Sequence, residues 1–306
     1  MNKDLLRMDN LSKDEILDIL NLADQLKYEQ KHGIEHHLLK GKSLGMIFEK
    51  ASTRTRVSFE IGMYQLGGHP LFLSSKDLQI GRGEPIQDTA RVLSRYLDGI
   101  MIRTFSQNDI ENLAEYSSIP IINGLTDNEH PCQVLADLMT IREKKLTLEG
   151  LKVAYIGDGN NMCNSLIIGS LTLGMNITIA NPLGYNPPKY YIEKGILLSE
   201  ENGVSFEMTE NPADAIKNAD VIITDVWSSM GQENEVKKRQ VAFKGYQINS
   251  ELMKLANNDA IILHCLPAHR EEEITEEILE SYSDIIFEEA ENRLHVQKSI
   301  LVKLLS

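Results

Sequence analysis

Short apolar runs alternate with longer stretches of helical periodicity along most of this chain. Ser12-Lys13-Asp14-Glu15 is a capping box. Behind it Ile16, Leu17, Ile19, Leu20 and Leu22 form an apolar stripe at helical spacing. The run 44–48 is strand-like, and the helical pattern over 54–66 stops at Gly67-Gly68. The pattern then predicts a helix at 85–97, a strand at 99–102, a helix at 109–116 and a strand at 120–122. Pro131 suits the first position of a helix over 131–142. From Leu151 a second series begins, with strands at 152–156, 176–180, 221–225 and 260–263. The run 288–305 reads as a closing helix, with Leu294, Ile300, Leu301 and Leu304 on its apolar side.

Alternation of this kind predicts an α/β fold: two parallel-sheet α/β domains with helices on both faces and a cleft between them. The C-terminal helix, from about residue 290, is expected to pack back on the first domain. The polar stretch Lys144 to Gly150 sets the expected boundary, giving domains 1–145 and 146–306. Ligands in such sheets bind at the carboxyl ends of strands.

Composition narrows the function classes. The chain has 306 residues, with 42% hydrophobic and 25% charged residues, enough for two well-buried cores. A formal net charge of −14 argues against a nucleic-acid surface, although a pocket can be locally positive on an acidic protein. Three cysteines, Cys132, Cys163 and Cys265, offer no disulfide framework and suit a reducing cytoplasm. Met1 to Asn10 shows no apolar signal-peptide core, and no apolar run approaches the ~20 residues that span a bilayer. The expectation is a cytoplasmic protein with no membrane or nucleic-acid partner. His32, His36 and His37 have no ligand-spaced Cys or carboxylate beside them and read as a solvated loop.

Five clusters fall at predicted strand ends. Ser52-Thr53-Arg54-Thr55-Arg56 places two guanidinium groups and three hydroxyls at the start of a helix. Free N–H groups there attract anions, and Arg grips phosphate in a planar, bidentate way. This reads as a phosphate socket; the alternative is a capped helix carrying surface arginines. Arg103 follows the strand Ile100-Met101-Ile102. His130 stands ahead of a Pro-initiated helix and Gln133 one turn in, so both can face one ligand; the alternative is a buried His satisfied by backbone. Gly157-Asp158-Gly159-Asn160-Asn161 begins like a dinucleotide fingerprint, but Met162 stands where the third Gly belongs and no acid ends the next strand. Asn161 is left free to bind a carboxylate or amide. Asp225 and Cys265 each end a strand, and Asp225 can pair with a cationic amine. His264 and Cys265, as strand neighbours, point to opposite faces and do not form a nucleophile pair.

These motifs together resemble the ornithine carbamoyltransferases, within the aspartate/ornithine carbamoyltransferase superfamily. The resemblance rests on Ser-Thr-Arg-Thr-Arg at 52–56 with Val57-Ser58-Phe59-Glu60 after it, Phe48-Glu49-Lys50, Asp77-Leu78-Gln79, Gly81-Arg82-Gly83-Glu84, His130-Pro131-Cys132-Gln133, Ser229-Met230-Gly231, His264-Cys265-Leu266-Pro267 and Glu291-Asn292-Arg293-Leu294-His295. It runs from about residue 40 to the end, in order. It implies transfer of a carbamoyl group from carbamoyl phosphate to the δ-amine of ornithine, with no metal or organic cofactor. It implies that Ser52, Thr53, Arg54 and Thr55 hold the phosphate, with Gln79 reaching in from a neighbouring protomer of a homotrimer. Arg103, His130 and Gln133 would hold the carbamoyl group. Asn161, Asp225, Ser229 and Met230 would hold the amino-acid end of ornithine, and Cys265, Leu266 and Arg293 would complete the site. Arg54, Thr55, Arg103, His130 and Cys265 are the expected catalytic residues. Putrescine is the acceptor that competes most closely with ornithine in this reading.

Overall fold

The computed structural model describes residues 3–79, 83–229, 231 and 233–306. The chain forms two compact units, Met1–Leu135 with Asn292–Ser306, and Ala136–Glu291.

In the first unit four parallel strands, β1 (Ser43–Phe48), β2 (His69–Ser74), β3 (Gly99–Arg103) and β4 (Ile121–Leu125), lie in the order β2-β1-β3-β4. The central pair is buried along its length, including Leu44, Met46, Ile47, Ile100, Met101 and Ile102, which is why β1 and β3 read as unbroken apolar runs. β2 breaks that rule. It is an edge strand, half exposed, with Pro70 in it, and its short apolar run Leu71-Phe72-Leu73, close behind the Gly67-Gly68 stop, is not among the predicted strands. The helices α1 (Lys13–Lys31), α2 (Thr53–Gln65), α3 (Ile86–Leu93) and α4 (Gln107–Tyr116) connect or flank these strands. Ser12 caps α1 as expected: its Oγ accepts from Glu15 N, and its own N–H donates to Glu15 Oε2.

Helix α5 (Pro131–Lys145) begins in the first unit and ends in the second. The compact units divide inside this helix, upstream of the polar stretch Lys144–Gly150. The second unit holds five parallel strands, β5 (Lys152–Ile156), β6 (Asn176–Ala180), β7 (Phe206–Thr209), β8 (Val221–Thr224) and β9 (Ile261–His264), in the order β7-β6-β5-β8-β9. Its helices are α6 (Asn161–Thr172), α7 (Lys189–Asn202), α8 (Pro212–Ile216), α9 (Val236–Ala242), α10 (Ser250–Met253) and α11 (Glu276–Ser281). β7, which the apolar pattern does not reveal, is again a half-exposed edge strand. A core of Ile156, Ile222, Ile262, Trp227, Phe243 and Ile278 fills one side of this sheet.

The closing helix α12 (Ser283–Leu305) starts earlier than its apolar side suggests. Its last part belongs to the first unit, where Ser299 Oγ donates to Ile19 O at 2.7 Å and Lys27 Nζ donates to Asn292 Oδ1 at 2.7 Å. The C-terminal helix therefore does pack on the first unit, against α1.

Candidate active site

Both strand orders contain a reversal. In the first unit the chain runs outward from β1 to β2, then returns to place β3 on the other side of β1. In the second it runs from β5 to β6 and β7, then places β8 on the other side of β5. Loops leaving the carboxyl ends at such a point diverge and open a crevice for ligand. Of the predicted site residues, Ser52 to Thr55 and Arg103 stand at the first of these points and Asn161 and Asp225 at the second, while His130 and Gln133 follow β4, Cys265 and Leu266 follow β9, and Gln79 lies beyond the edge strand β2.

At the first point Phe48 of β1 pairs with Arg103 of β3, and Arg103 pairs with Leu125 of β4. The segment after β1 turns into α2, where the Ser52 hydroxyl caps the helix by accepting from Thr55 N at 3.2 Å. Thr53 is exposed, Ser52 and Arg54 are half-buried, and Thr55 is buried. The Thr55 hydroxyl accepts from Arg293 Nη2 at 2.7 Å, which brings α12 to the same turn. His130 and Gln133 are buried at the start of α5, and the His130 carbonyl accepts from Gln133 N at 3.1 Å. Burial first, then the guanidinium groups of Arg293, Arg103 and Arg54, push the His130 imidazole well below its usual range. His130 is thus a neutral donor among three fixed cations, a setting fit to hold an anion and to stabilise an oxyanion without giving up a proton. Cys132, beside it, is a buried thiol pushed up to about 12 by desolvation and is inert.

Two contacts here were given no role from the sequence. Lys50 is buried, pairs with Asp127 and lies 4.3 Å from the centre of the Phe105 ring. The Thr104 hydroxyl donates to Glu49, tying the end of β1 to the residue after Arg103. Gln79 is exposed, five residues beyond the end of β2. Arg82 and its neighbour Gly81 lie outside the described residues, as does Met230.

At the second point Asp225, buried after β8, is held on three sides. Asn160 Nδ2 donates to Oδ2 at 2.7 Å, Val226 N donates to Oδ1 at 2.8 Å, and Cys265 Sγ donates to Oδ1 at 3.1 Å. A carboxylate has about four acceptor positions, so room for one more donor remains. Desolvation and then the Asp225 charge push the Cys265 thiol well up, keeping it protonated and able to donate. Asn161 is the buried first residue of α6, while Asn160 caps that helix and accepts from Met162 N and Cys163 N. Asn160, overlooked beside Asn161, is the Asn that bonds Asp225. Ser229 is half-buried in the loop after Trp227.

His264 and Cys265 do take different partners. The buried His264 accepts at Nδ1 from Leu266 N (3.0 Å), so its Nε2 carries the proton and faces Glu273 Oε1 at 3.0 Å. That bond holds Leu266 at φ 54°, a left-handed conformation few non-Gly residues adopt. Arg239 ties the second point together. Its Nη1 donates to Asp158 Oδ2 at 2.6 Å and to Trp227 O at 2.9 Å, and its guanidinium lies 5.0 Å from the centre of the Tyr185 ring. Neither His264–Glu273 nor Arg239–Asp158 is marked by any local sequence motif.

One unit gathers guanidinium groups at its switch point; the other gathers a carboxylate, an amide and a thiol. These features define an α/β protein built for one anionic and one cationic small molecule. The chain belongs to the aspartate/ornithine carbamoyltransferase family: its carbamoyl-P binding domain matches residues 3–143 and its Asp/Orn binding domain matches residues 149–304. The chain is 54% identical over 307 residues to the ornithine carbamoyltransferase of Carboxydothermus hydrogenoformans, covering 99% of this chain and 97% of that one. It is 55% identical over 306 residues to that of Syntrophotalea carbinolica, covering all of both. Among solved structures, the ornithine carbamoyltransferase of Pyrococcus furiosus superimposes with a TM-score of 0.96 at 51% identity, covering 99% of this chain and 96% of the other. The anabolic enzyme of Campylobacter jejuni superimposes with a TM-score of 0.94 at 46% identity, covering 98% of each.

Proposed function

We propose that this chain transfers the carbamoyl group of carbamoyl phosphate to the δ-amine of L-ornithine, giving L-citrulline and phosphate. The observation that carries the reading is the gathering of buried Arg103, His130 and Arg293 at the end of the first sheet, with Arg293 Nη2 on the Thr55 hydroxyl at 2.7 Å. Residues 1–145, with the end of α12 packed on them, serve carbamoyl phosphate, and the rest of 146–306 serves ornithine.

Ser52, Thr53, Arg54 and Thr55 hold the phosphate at the N-terminus of α2, with Gln79 of a second protomer closing over it. Arg103, His130 and Gln133 hold the carbamoyl group, and Arg293 fixes Thr55 beside it. The neutral δ-amine attacks the carbamoyl carbon, and the carbonyl oxygen takes the negative charge. Thr55, Arg103 and His130 donate to that oxyanion; each such donor is worth roughly 10²–10³ in rate. The carbon–oxygen bond to phosphate then breaks, phosphate leaves with its charge matched by Arg54, and the amine proton ends on the departing phosphate. Orientation of both substrates supplies much of the remaining acceleration. Asp225 takes the α-ammonium at its open acceptor position, with Asn161, Ser229 and Met230 on the carboxylate side, and Cys265 and Leu266 face the reacting amine.

Putrescine, the alternative acceptor, is not favoured: the curated relatives that align over the full chain are ornithine carbamoyltransferases. The anabolic Campylobacter jejuni relative supports a place in arginine biosynthesis. Three unpaired cysteines support a cytoplasmic setting, and among the described residues no helix is long and apolar enough to cross a membrane. The exposed apolar residues Val57, Ile61 and Tyr64 of α2 and Leu71 and Phe72 of β2 support assembly, read here as a homotrimer. Phosphate release from carbamoyl phosphate, measured with ornithine, putrescine, aspartate and N-acetylornithine in parallel, tests the acceptor. Ornithine is expected to dominate; a preference for putrescine would overturn the amino-acid half of the reading.

A further inference from the structure

Lys298 of α12 is fully buried, yet among the described residues no carboxylate touches its ammonium. Its three donor positions meet Gln30 Oε1 of α1 at 3.0 Å, Gln65 Oε1 of α2 at 3.0 Å and His36 Nε2 at 2.9 Å. His36 belongs to the loop read from sequence as solvated. His32 and His37 are exposed there, but the His36 side chain is only 7% exposed and its Nδ1 lies 3.0 Å from Glu29 Oε2. Since Nε2 accepts from an ammonium, the imidazole proton sits on Nδ1. The titratable groups facing Lys298 are His36 and, behind it, Glu29 of α1; α2 presents only the neutral Gln65. The lysine stem packs on α2 where Gly62 leaves room: a Cβ on Gly62 would sit 3.2 Å from Lys298 Cγ.

A buried ammonium served by neutral acceptors costs more in desolvation than the Glu29 charge behind His36 returns, so stability is a poor reason for it. Geometry is a better one. Arg293, on the same helix one and a half turns earlier, holds Thr55 in the first turn of α2, and Lys298 holds Gln65 at the last residue of α2. The two contacts pin α2 to α12 near both ends.

We propose that Lys298 is a positioning residue of the carbamoyl phosphate half-site, fixing α2 against α12 so that the Ser52–Thr55 turn is held on Arg293. The inference rests on the reading of that turn as the phosphate socket. The three-way contact is complete only in a pH window. Burial and then Lys298 hold His36 below its usual range; once it protonates, an imidazolium faces an ammonium. Burial brings Lys298 down to about 8, and above that it loses one of its three donors.

Steady-state kinetics of the full chain across pH test this, with Lys298→Met, His36→Gln and Arg54→Ala compared. Lys298→Met should raise KM for carbamoyl phosphate roughly 3- to 30-fold at neutral pH. KM for ornithine, at saturating carbamoyl phosphate, should stay within about twofold, since α2 carries none of its ligands. In the unsubstituted chain KM for carbamoyl phosphate should rise on both sides of the window. His36→Gln keeps an acceptor that does not titrate, so it should abolish the acid-side rise and keep a near-normal KM at neutral pH. Equal losses for both substrates in Lys298→Met, or no loss in a folded protein, would overturn the proposal. Should Lys298→Met fail to fold, an acid-side rise that persists in His36→Gln overturns it instead. Normal carbamoyl phosphate KM in Arg54→Ala would remove the socket itself and this inference with it; an Arg54→Ala defect beside an unaffected Lys298→Met removes this inference alone.

Discussion

Removing the Arg239 guanidinium would leave the Asp158 carboxyl buried with its hydrogen-bonded cation gone. Asp158 already sits at about 6, raised by desolvation against the pull of Arg239. Its folded value lies above the ordinary 3.8, so its contribution to stability is present at acid pH and is lost as pH rises through about 6. In Arg239→Met burial acts nearly unopposed, and the carboxyl moves further up and stays neutral through pH 7. The consequence reaches the ornithine side by two paths. Trp227 O, two residues beyond Asp225, loses its anchor. The Asp158 turn also shifts, and its carbonyl accepts from Tyr155 Oη, which donates as well toward Asn160 Oδ1, the partner of Asp225 through Nδ2. Arg239→Met is therefore expected to lower kcat/KM for ornithine on the order of 10²-fold with KM for carbamoyl phosphate unchanged. Breaking a buried pair also destabilises, by about 3–5 kcal/mol, and adding Asp158→Asn should recover much of that, because an amide does not have to take up a proton on folding as the stranded carboxyl does. A defect spread evenly over both substrates at every pH would refute the positioning role of Arg239.

At the scale of elements, Gly159 explains why the turn after β5 imitates a dinucleotide fingerprint without being one. Its N–H donates to Tyr185 O at 2.9 Å, and a Cβ there would lie 2.3 Å from Pro187 N, 2.4 Å from Asn186 C and 2.6 Å from Tyr185 O. The glycine allows one backbone segment to lie on another. Gly159→Ala must displace the 185–187 segment and is expected to cost roughly 1–3 kcal/mol, seen as a lowered thermal midpoint by circular dichroism. An unchanged midpoint would show that this segment yields freely. The same contrast governs what could be read in advance. Strands buried on both faces announce themselves as apolar runs, and the Ser52 turn, Arg103, His130, Asp225 and Cys265 stand at their ends, so fold and first contacts were legible together. β2 and β7 were not: β7 has no such run, and the Leu71-Phe72-Leu73 run of β2 lies on an exposed edge beside Pro70, where burial on both faces does not set the pattern. Pairs made by folding were not legible either: Arg239 and Asp158 are 81 residues apart, and Lys298 and Gln30 are 268 apart. No local spacing encodes such partners. His36 reads as solvated because its cover comes from the far end of the chain.

For the whole molecule, the exposed apolar residues are arranged in a way that bears on activity as well as assembly. Val57, Ile61 and Tyr64 recur at helical spacing on α2 and are 50%, 41% and 73% exposed. Leu71 and Phe72 lie on the adjoining edge strand β2, and the Arg56 guanidinium stacks 3.7 Å over the Phe72 ring. An apolar helix face beside an open sheet edge is a liability for a lone chain and natural material for an interface. Gln79, the residue expected to serve another protomer's phosphate, follows this strand and is itself exposed. If Gln79 serves a neighbour in this way, assembly and catalysis are coupled through one surface. A double substitution, Ile61→Asp with Tyr64→Asp, puts two charges on α2 away from the buried Phe59 and Met63, so the fold is expected to survive. Sedimentation velocity should show the assembly reduced to single chains, and carbamoyl transfer should fall with it, because Gln79 no longer reaches a neighbour. If the doubly substituted protein sediments as the unsubstituted one does, this face is not the interface. If it sediments as single chains with full activity, the site is complete within one chain and Gln79 has no role in trans.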